Sequence, residues 1–199
     1  MIALIRRLCR VGLFAAAHGT CSVRLADGGF LITPSGFDRA YLEEEDLVLV
    51  RDGMKEAGKT PSRAVRLHEL IYRNNPGIHA VLQAKPVHAM AFAVTDAFFD
   101  SRAIPESYVL LRNIKKLPFQ EIYSNPEGLS RELNEVSPAV VVENDSVIVV
   151  GAAPLQAFDR LEVLESTAHA ILNAFAIGQI VPIPDSEIVE IKKAFDLKD

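Results

Sequence analysis

The side chains able to do chemistry are few and scattered. Histidines stand at His18, His68, His79, His88 and His169, and the cysteines are Cys9 and Cys21. Neither cysteine has the spacing of a metal-binding pair, and two are too few for a disulfide framework; a reducing cytoplasm is the simpler reading. His79 shares strand parity with Gln83 and Lys85, because alternate residues of a strand face the same way. His68 falls inside a helical pattern, where a packed, hydrogen-bonded histidine is the expectation. His18 and His169 have no evident partner. The run Glu43-Glu44-Glu45 reads as a solvated loop, and Thr33-Pro34-Ser35-Gly36 is a loop by composition.

The bulk properties narrow the classes. The chain has 199 residues, 49% apolar and 24% charged, with a net charge of −5. That length suits a single domain over residues 1–199 with a full-sized core. The acidic balance argues against general nucleic-acid binding, which needs a basic footprint. No apolar run approaches the roughly 20 residues of a membrane helix. Arg6, Arg7 and Arg10 precede the apolar residues 11–17, a pattern with some likeness to a leader. An amphipathic first helix fits better, with Ile2, Ile5, Cys9 and Leu13 on one face.

The elements that must position these residues follow from periodicity. Residues 22–25 and 30–33 read as strands joined by the turn Asp27-Gly28-Gly29. Residues 46–51 form a third strand. Thr60-Pro61 is expected to open a helix running to about Asn74, with Leu67, Leu70 and Ile71 as its apolar stripe. Residues 79–85 read as a strand, and Pro86 begins another helix. Short strands are expected at 108–111 and 119–123, then a short helix from Pro126 to about Glu135. Residues 138–142 and 147–150 are strongly apolar strands around the turn Glu143-Asn144-Asp145-Ser146. Helices at about 154–175 and 185–195 close the chain. The fold class is α/β: a three-layer α/β/α arrangement around a mixed, largely antiparallel sheet.

Several segments, in order, resemble the class II aldolase/adducin family. They are Gly19-Thr20-Cys21-Ser22-Val23-Arg24 with Phe30-Leu31-Ile32-Thr33-Pro34-Ser35-Gly36, and Thr60-Pro61-Ser62 with His68, Ile71-Tyr72-Arg73, Pro76 and His79-Ala80-Val81. Residues 140–143 and 147–151 follow, then Ala157-Phe158 with Leu161-Glu162 and Leu164-Glu165. The resemblance spans roughly residues 3 to 175. It implies a zinc ion that polarises a hydroxy-ketone, held by a His-x-His pair and a third histidine, with a glutamate as acid/base. It also implies a phosphate site at Thr33, Ser35, Gly36 and Ser62, where hydroxyls and loop amides suit an anion and Arg63 adds charge. The same loop residues serve turn geometry alone in many proteins. Family members usually assemble as rings of four, so a homo-oligomer, a tetramer among the options, is expected.

The sequence departs from the family at every chemical position. The His-x-His pair aligns with Gln83-Ala84-Lys85, the third histidine with Asp145 and the glutamate with Ala64. Thr20 stands for the motif asparagine, and Arg63 for a serine. A glutamine amide is a poor zinc ligand, and an ammonium has no lone pair to give. A metal relocated to His79 and Asp145 is disfavoured, since residues four apart on a strand are about 13 Å apart. Ala64 removes the proton-transfer group, although His68 one turn on could face the same site. The expectation is therefore a class II aldolase-like protein without the zinc-dependent lyase site and with no cofactor. It would be a non-catalytic oligomer or bind a small phosphate or carboxylate. The alternative is a divergent aldolase or other carbon–carbon lyase acting on a sugar phosphate or related hydroxy-carbonyl compound. Lys85 is expected to take the former metal position, paired with Asp145 and supported by the Gln83 carbonyl, because a buried charge is costly unless paired. Schiff-base use of Lys85 is disfavoured, because a neighbouring carboxylate holds a lysine in its charged form.

Overall fold

A computed structural model describes residues 1–197. Its strands are β1 (Thr20–Arg24), β2 (Phe30–Ile32), β3 (Val48–Arg51), β4 (Met54–Lys55), β5 (Ala80–Ala84), β6 (Lys115–Leu117), β7 (Ala139–Val142) and β8 (Ser146–Gly151). Its helices are α1 (Ile2–Arg10), α2 (Val65–Asn74), α3 (Val87–Ala93), α4 (Pro105–Leu111), α5 (Glu121–Ser124), α6 (Pro126–Glu132), α7 (Pro154–Ala174) and α8 (Asp185–Ala194). The strands form one sheet in the order β4-β3-β2-β1-β5-β8-β7-β6. Neighbours are antiparallel except β6 and β7, which run parallel. The mixed, largely antiparallel sheet expected from the sequence is thus present.

Two interior strands, β5 and β8, explain the layers. All six residues of β8 are buried, as are Ala80, Val81, Leu82 and Ala84 of β5. Strands covered on both sides read as continuous apolar runs, unlike the alternating pattern of half-exposed ones. Side-chain parity then splits the core in two. Ala80, Leu82, Ala84, Val147 and Val149 join a cluster with Ile5, Leu8, Phe92, Leu111, Phe158, Leu161, Leu164 and Ala168. Val81, Ile148 and Val150 face the other way, toward Leu67, Ile71, Tyr72, Leu129 and Leu133. Helices α1, α3, α4 and α7 therefore cover one face, and α2 with α6 the other. At the end of β8, a Cβ on Gly151 would lie 2.7 Å from the Ala157 nitrogen and 3.0 Å from the Ala153 oxygen. Only glycine lets β8 meet the first turn of α7 this closely.

The local expectations hold with four corrections. The buried stripe of α1 is Ile2, Ile5 and Leu8; Cys9 is only half-buried, and Leu13 lies past the helix end. Residues 108–111 are helical, because Pro105 fits the first position of α4 and the preceding Ile104 is extended. Residues 119–123 fall largely in α5, and the edge strand is instead β6. Thr60-Pro61 does not start α2. Pro61 bridges Pro34, and that tertiary pairing delays the helix to Val65. Among the described residues, no helix is long and apolar enough to cross a membrane.

Candidate functional site

A cavity of about 560 Å³ opens at one end of the sheet, on the α2 face. Its size suits a small organic ligand. Three local features build it.

The first is a pair of zipped loops. The Ser35 amide donates to the Thr60 carbonyl at 2.9 Å, and the Ser62 amide donates to the Thr33 carbonyl at 2.9 Å. Gly36 turns the chain at φ +79°, a conformation that glycine adopts without a side-chain clash. Ser35 and Gly36 thereby line the same wall as Ser62 and Arg63. The Ser62 and Thr20 hydroxyls are 2.7 Å apart, tying this wall to the start of β1. Arg39 is buried and donates to the Gly19 and Phe37 carbonyls at 2.7 and 2.8 Å, which fixes the loop behind them.

The second is the end of β5. Gln83 and Lys85 share parity with Val81 and project on the α2 side. The third is the tight β7–β8 turn. Asn144 adopts φ +54°, a left-handed conformation that asparagine tolerates better than most residues. That turn delivers Asp145 opposite Gln83 and Lys85.

Asp145 is the hub of the floor. Its side chain is 12% exposed, and Lys85 Nζ lies 3.7 Å from its Oδ1. Lys85 also donates to the Asp145 backbone carbonyl. Gln83 Nε2 donates to Asp145 Oδ2 at 3.3 Å and to Ser146 Oγ at 2.9 Å. Ser146 Oγ donates to Oδ2 at 2.6 Å, and the Tyr123 hydroxyl to Oδ1 at 3.3 Å. Desolvation first, and the Asp145 carboxylate second, push the Tyr123 phenol above its ordinary value. The ion pair expected between Lys85 and Asp145 is present. The expected support from the Gln83 carbonyl is not: Gln83 turns its amide nitrogen to the carboxylate, leaving Oε1 buried and without a partner.

Of the residues singled out from the sequence, Ala64, Gln83, Lys85, Asp145, Ser35, Gly36, Ser62 and Arg63 meet around this cavity. Thr33 and His68 are fully buried and are not among its lining residues. The Thr33 hydroxyl accepts the Cys21 amide at 3.3 Å. His68 Nδ1 is 2.7 Å from Ser22 Oγ, which is also 2.7 Å from the Tyr72 hydroxyl. The sequence reading missed Tyr123, which lay in a stretch read as a strand, and Arg66, whose position on the first turn of α2 was the available signal. It also left His169 without a partner. His169 stacks on His88 at 3.9 Å, and His88 Nδ1 lies 2.8 Å from Glu165 Oε1; none of the three lines the cavity.

Burial pushes His68 down to about 3. An unfolded chain protonates its histidine near pH 6.5, while the folded chain refuses that proton until about pH 3. Its stability contribution is therefore complete above about pH 6.5 and is lost as pH falls, by up to about 1.4 kcal/mol per unit. Urea unfolding at about pH 7 and about pH 5.5 should show this loss in the native chain and a smaller one in His68→Gln. Equal losses in both would remove the assignment.

Comparison with known proteins adds the ancestry. The model of the family described as "Class II Aldolase and Adducin N-terminal domain" matches residues 1–172. The chain belongs to this family. Within it, a 3-oxo-tetronate 4-phosphate decarboxylase of Escherichia coli K12 is 28% identical, over 91% of this chain and 88% of that protein. An L-fuculose phosphate aldolase of Escherichia coli O6:H1 is also 28% identical, over 94% of this chain and 88% of its own length. The crystal structure of Escherichia coli YgbL, titled a putative aldolase/epimerase/decarboxylase, superposes with a TM-score of 0.86. It is 27% identical and covers 96% of this chain and 95% of its own. The class II aldolase fold thus underlies the cavity. Among the described residues of this member, no group of three His, Cys, Asp or Glu side chains is placed to hold a metal ion.

Proposed function

We propose that this protein is a class II aldolase-family member whose pocket binds a small phosphorylated or carboxylated molecule and does not run zinc-dependent carbon–carbon cleavage. One observation carries the reading. The cavity wall holds four cationic side chains, Arg39, Arg63, Arg66 and Lys85, and a single carboxylate, Asp145, in a chain whose net charge is −5. Such a concentration of positive charge against the overall sign favours an anion. The Ser35 and Ser62 hydroxyls and the Gly36 amide supply the directional contacts an oxyanion needs, and Arg63 supplies a charge-assisted one.

Zinc does not fit the floor. Gln83 offers a neutral amide, Lys85 repels a dication, and the one carboxylate is already shared among Lys85, Gln83, Ser146 and Tyr123. Ala64 brings no acid or base. The activities of the decarboxylase and aldolase relatives support a second reading, a divergent lyase. On that reading, 3-oxo-tetronate 4-phosphate is the first compound to try. Self-association is part of the proposal. Phe175, Ile177, Val181, Val189 and Phe195, all toward the C-terminal end of the described residues, are exposed, and exposed apolar surface commonly marks contacts between subunits.

Calorimetry with inorganic phosphate tests the anion pocket. Binding should weaken with added salt and fall about tenfold or more in Arg63→Ala, the loss expected for a charge-assisted contact. Phosphate heats indistinguishable from a buffer blank would end the proposal.

A further inference from the structure

His18 lines the cavity and is exposed. It is the only imidazole among the lining residues. Among the described residues, its ring has no hydrogen-bond or ion-pair partner. A free imidazole in a wall of fixed cations can take up a proton where its neighbours cannot.

Its backbone is held between the two halves of the anion seat. On one side stands Thr20, two residues on, whose hydroxyl is 2.7 Å from that of Ser62. On the other, Arg39 donates to the Gly19 carbonyl at 2.7 Å and to the carbonyl of Phe37, next to Gly36, at 2.8 Å. The preceding turn is pinned as well. The His18 amide donates to the Ala15 carbonyl, and the Arg39 amide to the Ala16 carbonyl, each at 2.8 Å. Ala16 takes φ +47°, a left-handed conformation that persists in an alanine only where the surroundings fix it. The imidazole is thus held at the cavity by a fixed turn.

We infer that His18 is the proton-linked contact of the anion pocket: its imidazolium joins a bound dianion, and each promotes the binding of the other. The inference rests on the anion-pocket reading. In the empty pocket, Arg39, Arg63, Arg66 and Lys85 oppose a further positive charge, and Asp145 is already engaged by four donors. A dianion beside Arg63 removes that opposition, so a proton enters with it. By reciprocity, a proton on His18 tightens the hold on the dianion. Binding therefore strengthens as pH falls and takes up a proton near neutrality.

The neighbouring groups do not imitate this behaviour. Carboxylate, ammonium and guanidinium groups ordinarily keep one charge state between about pH 5.5 and about pH 8. Burial first, and Asp145 second, hold the Tyr123 phenol above its ordinary value. Burial also raises the Cys9 thiol, which lies near Asp38 and Arg39. His68 stays neutral down to about 3, and His79, His88 and His169 do not line the cavity.

Calorimetry with sulfate, a dianion throughout this range, tests the inference on the full-length protein, beside inorganic phosphate. Sulfate should bind about tenfold tighter at about pH 5.5 than at about pH 8, the gain expected from one charge-assisted contact. Near neutrality, heats measured in buffers of different ionisation enthalpy should reveal proton uptake on binding. His18→Gln should melt like the native chain, bind sulfate equally at both pH values and take up no proton. His18→Arg, a permanent cation, should bind at about pH 8 as tightly as the native chain does at about pH 5.5. Native sulfate affinity that ignores pH, or a pH dependence that persists in His18→Gln, overturns the inference. Phosphate binding alongside either result leaves the anion pocket standing. Absence of binding of both anions at both pH values overturns the anion pocket as well.

Discussion

The triple variant Gln83→His/Lys85→His/Asp145→His should acquire a three-histidine zinc site. Gln83 and Lys85 lie two residues apart on one side of β5, and both reach Asp145, at 3.3 and 3.7 Å. Side chains that already converge on one point need only the right donor atoms. Three neutral imidazoles with an open fourth position make a tetrahedral zinc site of the catalytic kind. Removing Lys85 also removes the positive charge that opposes a dication. After zinc incubation and dialysis, the variant should retain about one equivalent, as three-ligand sites hold the ion firmly. A single Gln83→His change should gain little, since the ammonium stays. If the triple variant folds and still loses its zinc, then these three positions do not share a metal-sized focus.

Leu82→Ala should cost the fold about 2–5 kcal/mol, the range for large-to-small changes at sites that cannot collapse. Leu82 is fully buried on central strand β5, paired with Cys21 of β1 and Val149 of β8. Strands on both sides fix the backbone, and α7 covers the face, so little can move into the cavity. For a domain of this size the melting point should fall by about 2–4 °C per kcal/mol. Because Leu82 immediately precedes Gln83, phosphate affinity should weaken in the same variant near its melting point. A melting point within a degree or two of the native chain's would mean that the core around β5 is softer than described.

Much of this arrangement was legible in the sequence, for a physical reason. The runs of β5, β7 and β8 are apolar because both faces are covered, and helix α7 declares itself by Phe158, Leu161, Leu164, Ala168 and Ile171 on one buried stripe. The pairing of Lys85 with Asp145 was legible as well, since a cation and an anion appear together at aligned positions. What failed was decided by longer-range contacts. The helix signal at Thr60-Pro61 was overridden by backbone pairing with residues 33–35, whose distance in sequence hides it. The stretch at residues 108–123 mixes aromatic and aliphatic residues in runs too short for either period to dominate, so α4 and α5 were read as strands. Tyr123 went unnoticed with them. The orientation of the Gln83 amide depends on Ser146, which competes for the same nitrogen, and no pattern in the sequence ranks those partners.

The measurement that bears most directly on the central claim is the zinc content of the native, untagged protein after zinc incubation and dialysis, read by mass spectrometry. A floor built from Gln83, Lys85 and Asp145 predicts less than about a tenth of an equivalent, far below an intact three-ligand site. Close to one equivalent would contradict the account: the Lys85–Asp145 pair would then yield to a metal, and the zinc-dependent lyase would become the better reading of the pocket.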